Sequence, residues 1–247
     1  MDIFSLKEKT ILITGASSGI GRAVAQQCAA AGATCIITAR NEERLSATFE
    51  SLSGEGHLYI LADLSKSESI ESIVDQLPKL DGVVSCAGIV ETKMLKFTEE
   101  DDLLHLFNTN AFSSIRLIRT LVQQKKLKKE ASIVIISSIS GVRCGYLGGS
   151  IYGATKGALE GFVKATALEL APQKIRVNTI TPGMVETSLL KDSEIDSEQL
   201  EIDRQKYPLK RYGNPEEVGY SAVYLLSNAT KWMTGSSLLI DGGYTLN

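Results

Sequence analysis

How this chain folds is indicated most clearly by one run of residues, Thr10-Ile11-Leu12-Ile13-Thr14-Gly15-Ala16-Ser17-Ser18-Gly19-Ile20-Gly21. An apolar strand leads into glycines spaced G-x-x-x-G-x-G, and a helix begins near Gly19. Glycine lets the backbone turn tightly and lets a pyrophosphate approach, and the first amides of a helix attract phosphate. No Gly-Lys-Ser/Thr follows, which argues against a nucleoside-triphosphate P-loop. The run predicts a dinucleotide-binding turn, with an ordinary glycine-rich turn as the alternative.

Strand and helix signals alternate along most of the chain. Apolar runs of strand length lie at Thr10–Thr14, Thr34–Thr38, Leu58–Leu61, Gly82–Cys86, Ser132–Ser137, Arg176–Ile180 and Ser237–Ile240. Apolar positions three and four apart predict helices over residues 19–31, 66–77, 101–127, 152–171 and 215–227. The run Ile133-Val134-Ile135-Ile136 is apolar throughout, which is typical of a strand covered on both faces. The sequence therefore predicts one α/β domain over residues 1–247, a doubly wound Rossmann fold with about seven parallel strands and helices on both faces.

Composition excludes several functional classes. The 247 residues carry a net charge of -3, with 43% hydrophobic and 22% charged residues, so nothing indicates binding to nucleic acid or to a membrane surface. The start lacks the pattern of a signal peptide, and no apolar run approaches the ~20 residues that span a bilayer. The four cysteines form no Cys-x-x-Cys pair, so we expect free thiols in a reducing cytoplasm and no metal site.

The run Tyr152-Gly153-Ala154-Thr155-Lys156 carries the strongest chemical signal. Residues four apart on a helix project from one face, so the ammonium of Lys156 can approach the hydroxyl of Tyr152. A tyrosine has an ordinary pKa of ~10, and acid–base chemistry near pH 7 requires a shift of ~3 units, or ~4 kcal/mol. A unit charge at ~4 Å supplies about that energy at an effective dielectric constant of ~20. The pair predicts a proton donor, with an ordinary surface pair as the alternative.

These features occur together with several others in an order that resembles the short-chain dehydrogenase/reductase family nearly end to end. The matching segments are Thr14–Gly21, Asp63-Leu64, Cys86-Ala87-Gly88, Asn110, Ser138, Tyr152–Lys156, Pro182-Gly183 with Thr187, and Asp241-Gly242-Gly243. Within that family the pattern is similar to the 3-oxoacyl-acyl-carrier-protein reductases and related carbonyl reductases. The resemblance implies an oxidoreductase that interconverts a ketone and a secondary alcohol with a nicotinamide cofactor.

The resemblance also implies a catalytic set of Asn110, Ser138, Tyr152 and Lys156. Ser138 would stabilise the substrate carbonyl oxygen, Tyr152 would protonate it, and Lys156 would hold the nicotinamide ribose. Successive strand residues face opposite sides, and the family pattern selects Ser138 over Ser137. Asn110 would help to hold a proton-relaying water. Asn108 is the competing candidate, but an offset of two residues puts it on another face of the helix, and the following Ala111-Phe112 favours Asn110.

The positions at which the resemblance implies cofactor contact are Gly15, Ser17, Ser18, Gly19, Ile20, Gly21, Arg40, Asp63, Leu64, Ala87, Gly88, Tyr152, Lys156, Pro182, Gly183, Val185 and Thr187. The residues at the end of the second strand indicate which nicotinamide cofactor is bound. Ala39 replaces the aspartate typical of NAD-preferring relatives, and the guanidinium of Arg40 can bind a 2′-phosphate. The sequence therefore favours NADP(H). The alternatives are that Arg40 is a solvated loop cation and that Asp63 only begins a helix, and Asn41 is expected to cap the helix that follows.

Two departures from the family pattern concern the pocket. Cys86 replaces the usual asparagine, which puts local hydrogen bonding in doubt, and Ser138 and Tyr152 are 14 apart where 13 is common. The extra residue is expected in the loop 143–149, which would line the substrate pocket. The segment 186–212 is polar and acidic, and we expect a mobile substrate lid with a short helix there.

Substrate and partners are less closely defined by the sequence. Lys125, Lys126, Lys128 and Lys129 form a basic run expected to end a long helix; Lys129 can dock an acidic acyl carrier protein, or the run can simply complement the helix dipole. Gln173 stands where a second docking arginine is typical. The substrate is a 3-oxoacyl thioester or, alternatively, a hydroxysteroid, a sugar or another small alcohol. A non-catalytic dinucleotide-sensing regulator is the alternative from another class. By resemblance we expect a homotetramer or homodimer.

Overall fold

A single sheet of seven parallel strands runs through the part of the chain that the computed structural model describes, residues 2–187 and 197–246. Its strands are β1 (Thr10–Thr14), β2 (Thr34–Ala39), β3 (Leu58–Leu61), β4 (Leu80–Ser85), β5 (Leu127–Ile136), β6 (Arg176–Pro182) and β7 (Ser237–Ile240). Their order across the sheet is β3-β2-β1-β4-β5-β6-β7. The prediction of a doubly wound parallel sheet is confirmed.

Helices connect the strands. They are α1 (Gly19–Ala30), α2 (Glu42–Glu50), α3 (Ser67–Gln76), α4 (Glu100–Leu106), α5 (Ser113–Gln123), α6 (Ser150–Leu170), α7 (Ser197–Arg204) and α8 (Pro215–Leu226). Their starts follow ordinary capping chemistry. Asn41 caps α2, as expected, by accepting a hydrogen bond from the amide of Arg44 at 2.8 Å. Asn214 and Glu217 form a capping box at α8, with proline at its first position.

The hydrophobic core has one layer on each face of the sheet. Leu12 and Ile133 pack with α3, α5 and α6 on one face, whereas the adjacent Ile13 and Val134 pack with α1, α2 and α8 on the other. Adjacent strand residues point to opposite faces, so a strand buried on both sides must be apolar at every position. This explains the uninterrupted apolar runs of the sequence.

The strand order reverses between β1 and β4, and this reversal positions the candidate site. From β1 the chain winds outward through β2 and β3, then returns so that β4 pairs with the other side of β1. Connections therefore leave the carboxyl ends of β1 and β4 in opposite directions. A crevice opens between such ends in parallel α/β sheets.

The predicted helix over residues 101–127 is confirmed as far as Gln123 and is wrong beyond that residue. The structure divides it into α4, a π-helical segment Phe107–Phe112 and α5, which ends at Gln123. Lys125 takes a left-handed conformation with φ of 54°, and Lys128 and Lys129 then lie in β5. The basic run therefore does not end a helix. Lys126 instead donates to the carbonyls of Asp75 and Leu77, which stabilises the turn into the strand.

Several strand ends also differ from the prediction. β4 spans Leu80–Ser85 instead of Gly82–Cys86, β5 begins five residues earlier than Ser132, and β6 extends to Pro182. The β4–β5 register shifts between Leu80 and Gly82: Leu127 pairs with Leu80 and Ser132 with Gly82, so the polar residues between them lie in an irregularity of the ladder. The ends of β4, β5 and β6 still deliver the candidate residues to the crevice.

Candidate active site

The glycine-rich turn has no room for side chains. Gly15 has a φ of +65°, and a Cβ there would lie 2.9 Å from the backbone of Ala87. A Cβ on Gly21 would lie 2.2 Å from the carbonyl oxygen of Gly15. The turn therefore packs backbone against backbone between β1, α1 and the end of β4. Ser18 precedes α1 in an extended conformation without a side-chain cap, so the first-turn amides face the crevice end.

A cleft of about 390 Å³ opens beside this turn. Its lining includes Ser18, Gly19, Arg22, Arg44 and Thr187. The methyl group of Thr187 lies 3.2 Å from the place of a Cβ on Gly19, so the loop after β6 closes over the start of α1. Glu186 and Glu216 also line the cleft, and Glu186 is paired with Arg204. The helix amides, the guanidinium groups of Arg22 and Arg44, and a cradle that excludes side chains suit an anionic ligand at the end of the cleft beside the glycine turn. The residues present therefore fit a dinucleotide.

Arg40, Asp63 and Leu64 lie at the carboxyl ends of β2 and β3. Arg40 is exposed and close enough to Asp63 to act on its charge. Burial alone would raise the pKa of the Asp63 carboxyl, but hydrogen bonds from Ser65 and the charge of Arg40 outweigh it and lower that pKa. The local turn expected as an alternative is therefore present at Asp63. Leu64 points into the core.

Thr14, which sequence analysis did not single out as a site residue, ties β1 to the end of β4. Its hydroxyl accepts hydrogen bonds from the amides of Cys86 at 3.1 Å and Ala87 at 3.2 Å. These bonds hold the Cys86-Ala87-Gly88 segment beside the glycine turn without the usual asparagine. Burial raises the pKa of the Cys86 thiol to about 12 despite the opposing charge of Lys156, so this thiol stays protonated at neutral pH.

Asn110 is fully buried within the π-helical segment. Its Oδ1 accepts from the amide of Ile89 at 2.8 Å, and its Nδ2 donates to the Ile89 carbonyl at 2.9 Å and to Thr155 at 3.3 Å. Asn108, the competing candidate, instead accepts from Arg116 at 3.0 Å. The π-helical turn, a feature frequent at functional sites, thus places Asn110 between the segment after β4 and helix α6.

The two serines that follow β5 point in different directions. Ser137 is buried, and its amide donates to the carbonyl of Ile180 at 2.8 Å. Its hydroxyl points to the carbonyl of Lys156 at 3.5 Å. Ser138 is partly exposed and its hydroxyl accepts from the amide of Ser140 at 3.1 Å. A hydrogen bond also joins the side chains of Ser138 and Tyr152. The structure therefore brings Ser138, and not Ser137, to Tyr152.

Tyr152 and Lys156 share one face of α6, with the Nζ atom of Lys156 5.8 Å from the centroid of the Tyr152 ring. Lys156 is buried and donates to the carbonyl of Ile136 at 3.0 Å. Burial lowers the pKa of its ammonium from 10.5 to about 8, against a small opposing effect of Cys86. A Cβ on Gly88 would lie 3.2 Å from Asn110 and 3.6 Å from this ammonium, so the three residues are close neighbours.

The pKa of Tyr152 differs from the sequence-based expectation. Burial raises it to about 12, although the hydrogen bond with Ser138 acts in the opposite direction. The expected lowering by Lys156 requires a close approach, but this ammonium is directed to the Ile136 carbonyl. Desolvation of the phenolate therefore outweighs the nearby charge in this structure. Tyr152 is accordingly a fully protonated donor at neutral pH.

The loop after β6 carries the remaining candidates. Pro182 ends β6, Gly183 packs against Asp241, and Val185 is buried and bridges to Gly213. Of the predicted lid, residues 188–196 lie outside the described residues. The following helix α7 is joined to the loop by an ion pair between Arg204 and Glu186 at 3.2 Å. Ile20 packs against the core below the glycine turn, and Ser17 accepts from Arg22 at 2.8 Å through its carbonyl.

A second glycine contact, which sequence analysis missed, fixes the loop that carries Ser138 against the start of α6. Gly141 has a φ of +83°, and a Cβ there would lie 2.0 Å from the carbonyl oxygen of Gly153. The sequence signal was present, since Gly141 and Gly153 flank the loop between Ser138 and Tyr152. In the same loop the Tyr146 ring packs on Gly149, where a Cβ would lie 2.5 Å from it.

Within residues 2–187 and 197–246, no cluster of at least three histidine, cysteine, aspartate or glutamate side chains could bind a metal ion. The helices of those residues also include none long and apolar enough to cross a bilayer.

Comparisons with known proteins agree with this geometry. Residues 15–245 match the sequence family described as enoyl-(acyl carrier protein) reductase. The 3-oxoacyl-[acyl-carrier-protein] reductase of Bos taurus is 35% identical over 243 residues, covering 97% of this chain and 99% of that protein. Carbonyl reductase family member 4 of Danio rerio is 34% identical over 239 residues, covering 95% and 97%.

Solved structures give the same result. A short-chain dehydrogenase/reductase from Serratia marcescens BCRC 10948 superposes with a TM-score of 0.90 at 28% identity, over 97% of this chain and 99% of that one. A dehydrogenase/reductase from Sinorhizobium meliloti 1021 also has a TM-score of 0.90, at 31% identity over 98% and 97%.

Proposed function

The chain belongs to the short-chain dehydrogenase/reductase family of oxidoreductases, and from that premise we propose that it uses NADP(H) to interconvert a ketone and a secondary alcohol. The observation that carries this proposal is the placement of Ser138 against Tyr152, with Lys156 and Asn110 behind them. A sensor of dinucleotides would need the glycine turn but not a buried proton donor beside a carbonyl-binding serine.

Bound nicotinamide would supply the hydride for ketone reduction. Ser138 donates to the ketone oxygen and stabilises the negative charge that develops there. Tyr152 gives its proton to the same oxygen. Because burial holds the pKa of Tyr152 at about 12, the donor is protonated before reaction, as ketone reduction requires.

Lys156 and Asn110 support that proton donor. The positive charge of Lys156, 5.8 Å from the ring of Tyr152, lowers the cost of forming the phenolate after proton transfer. The pKa of Lys156 near 8 also lets this amine exchange protons close to neutral pH. Asn110 holds the Ile89 backbone and Thr155 of α6 in place beside the ammonium. A water held there would return protons to Tyr152.

The cofactor preference rests on charge at the end of β2. Ala39 places no carboxylate there, Arg40 follows it as an exposed cation, and Arg44 lines the cleft. These groups would face the ribose of the adenosine. A 2′-phosphate gains charge-assisted hydrogen bonds from such groups. NADP(H) is therefore preferred to NAD(H), with Gly15, Gly19 and Gly21 at the pyrophosphate and Thr187 at the nicotinamide.

A 3-oxoacyl thioester is the substrate that the relatives' names favour. Docking of a carrier protein at Lys129 has a geometric consequence, because Lys129 lies near the start of β5 and Ser138 beyond its end. Nine strand residues span ~30 Å at ~3.3 Å each, so a carrier protein docked at Lys129 would lie ~30 Å from Ser138 of the same chain. Strongly exposed apolar residues, Leu168 and Trp232, support a homodimer or homotetramer. Light scattering that gives a monomer would refute this assembly.

A substrate panel tests the function. Purified protein is mixed with NADPH or NADH and with acetoacetyl thioester, a 3-ketosteroid or a keto sugar, and nucleotide oxidation is followed by absorbance. We expect fastest turnover with NADPH and the thioester. Faster turnover with a steroid or sugar would replace the substrate class, and binding of NADPH without turnover of any ketone would favour the sensor.

A further inference from the structure

Arg22 joins two elements that the proposed function assigns to different parts of the cofactor. It lies in the first turns of α1, one residue after the glycine motif, and it lines the cleft beside Ser18 and Gly19. The glycine turn would contact the pyrophosphate, whereas Arg40 and α2 would contact the 2′-phosphate. The position of α2 relative to the glycine turn therefore decides whether the pyrophosphate and the 2′-phosphate can be bound at the same time.

The guanidinium of Arg22 makes a hydrogen bond in each direction. Its Nη2 atom donates to the carbonyl of Ser17 at 2.8 Å, within the glycine turn. Its Nε atom donates to the hydroxyl of Thr48 at 3.1 Å, on α2. Arg22 is thus a bridge between the turn and the helix, and its planar group holds both at fixed angles.

Thr48 connects Arg22 to the start of α2. It is fully buried, and its hydroxyl donates to the carbonyl of Arg44 at 3.0 Å while accepting from Arg22. The amide of Arg44 in turn donates to Asn41, the cap of α2 that directly follows Arg40. A continuous chain of hydrogen bonds therefore runs from Ser17 to the residues at the phosphate end of the cleft.

We propose that Arg22 is a positioning residue that sets the preference for NADPH over NADH by holding the start of α2 at a fixed distance from the glycine turn. This inference rests on the proposed function. NADPH and NADH both contain the pyrophosphate, but only NADPH contains the 2′-phosphate. A displacement of α2 therefore weakens the binding of the 2′-phosphate and leaves the binding of the pyrophosphate unchanged. Loss of the bridge therefore lowers NADPH affinity more than NADH affinity.

The test measures dissociation constants of NADPH and NADH by calorimetry for the wild type and three variants. Arg22→Met removes both hydrogen bonds and the charge. Thr48→Val removes the α2 half of the bridge but keeps the charge of Arg22. The matched control is Ser51→Ala, which removes the hydrogen bond from Gln26 Nε2 to Ser51 Oγ at 2.9 Å, at the far end of α2. It also removes a hydrogen bond from Ser51 to the Thr48 carbonyl, but it leaves the Thr48 hydroxyl and its bond to Arg22 intact.

We expect the ratio of the NADH dissociation constant to the NADPH dissociation constant to fall about tenfold in Arg22→Met, which loses two charge-assisted hydrogen bonds, and about threefold in Thr48→Val, which loses one of them. Ser51→Ala should leave the ratio unchanged. Equal weakening of both nucleotides would overturn the proposal, as would an altered ratio in Arg22→Met with none in Thr48→Val, which would make Arg22 a direct phosphate ligand. A wild type without preference for NADPH would refute the proposed cofactor itself, and this inference with it.

Discussion

Asn110 holds the backbone of Ile89 from both sides: its Oδ1 accepts from the Ile89 amide at 2.8 Å, and its Nδ2 donates to the Ile89 carbonyl at 2.9 Å. The segment after β4 has no strand partner at this point, so one side chain replaces the missing ladder. The same amide group reaches Thr155 on α6, one residue before Lys156. Asn110 is therefore as much a structural clamp as a member of the candidate site.

Asn110→Ala should destabilise the protein by ~2 kcal/mol, because it leaves two partly buried backbone groups of Ile89 without this partner. Chemical denaturation measures the change. Asn108→Ala is the control, since Asn108 accepts one hydrogen bond from Arg116 at the partly exposed surface and should cost under ~1 kcal/mol. Equal effects of the two substitutions would contradict the clamp.

Lys156→Met should abolish activity yet raise stability at pH 7. The lowering of the Lys156 pKa from 10.5 to about 8 means that the fold disfavours the charged form by ~3 kcal/mol at ~1.36 kcal/mol per pH unit. Methionine fills similar space without this cost, so we expect a gain of ~1–3 kcal/mol.

The pH dependence of that gain has a definite sign. Below pH 8 the amine is charged in both states and the full penalty applies. Between pH 8 and 10.5 the folded state loses the proton first, so the unfolded state binds more protons and wild-type stability rises with pH. The difference in the free energy of unfolding between Lys156→Met and the wild type, measured by urea titration, should therefore decrease between pH 8 and 10.5. A difference in the free energy of unfolding that increases with pH would show that burial does not disfavour the charged form of Lys156.

Gly141→Ala should disrupt the contact between the Ser138 loop and α6. The new Cβ would lie 2.0 Å from the carbonyl of Gly153 at a φ of +83°, so backbone must shift, at a cost of ~2 kcal/mol or more. Turnover should fall with little change in NADPH affinity, because the displaced helix start carries Tyr152. Gly145→Ala is the matched control, since its Cβ would meet nothing within 4 Å. Similar losses in both variants would place the effect in the loop as a whole.

Tyr152→Phe should lower turnover by about 10²–10⁴-fold, the range expected for loss of a general acid, while NADPH binding changes by less than about threefold. Steady-state kinetics and calorimetry measure the two quantities. Tyr146→Phe removes another tyrosine hydroxyl near the site and should retain turnover within about tenfold, since it cannot abolish the proton donor. Full activity of Tyr152→Phe would reject the assignment of the proton donor.

The sequence predicted the fold well because burial on both faces leaves a plain signature, as in Ile133–Ile136. It did not predict where β5 begins, because a basic run such as Lys125–Lys129 is typical of a helix end. Of the first five residues of β5, only Leu127 is in register with β4. The π-helical segment Phe107–Phe112 was likewise not predicted, since its apolar periodicity is not distinct from that of the flanking helices. Tertiary contacts decide both features.

For the candidate site, the sequence identified residues more readily than their electrostatics. It selected Ser138 over Ser137 and Asn110 over Asn108, and the structure places Ser138 against Tyr152 and buries Asn110. It did not anticipate that the Lys156 ammonium would be directed to the Ile136 carbonyl, or that burial would raise the pKa of Tyr152. Desolvation depends on the packing of distant segments, which spacing along the chain does not report.

Transfer of a labelled hydride tests the central claim most directly. NADPH carrying deuterium at one or the other face of nicotinamide carbon 4 is incubated with the protein and acetoacetyl thioester, and the alcohol is analysed by mass spectrometry. One fixed nicotinamide orientation predicts a single deuterium on the carbinol carbon from one labelled form and none from the other. Binding of NADPH with no deuterium in any product, across the whole ketone panel, would contradict the assignment of this chain as a carbonyl reductase.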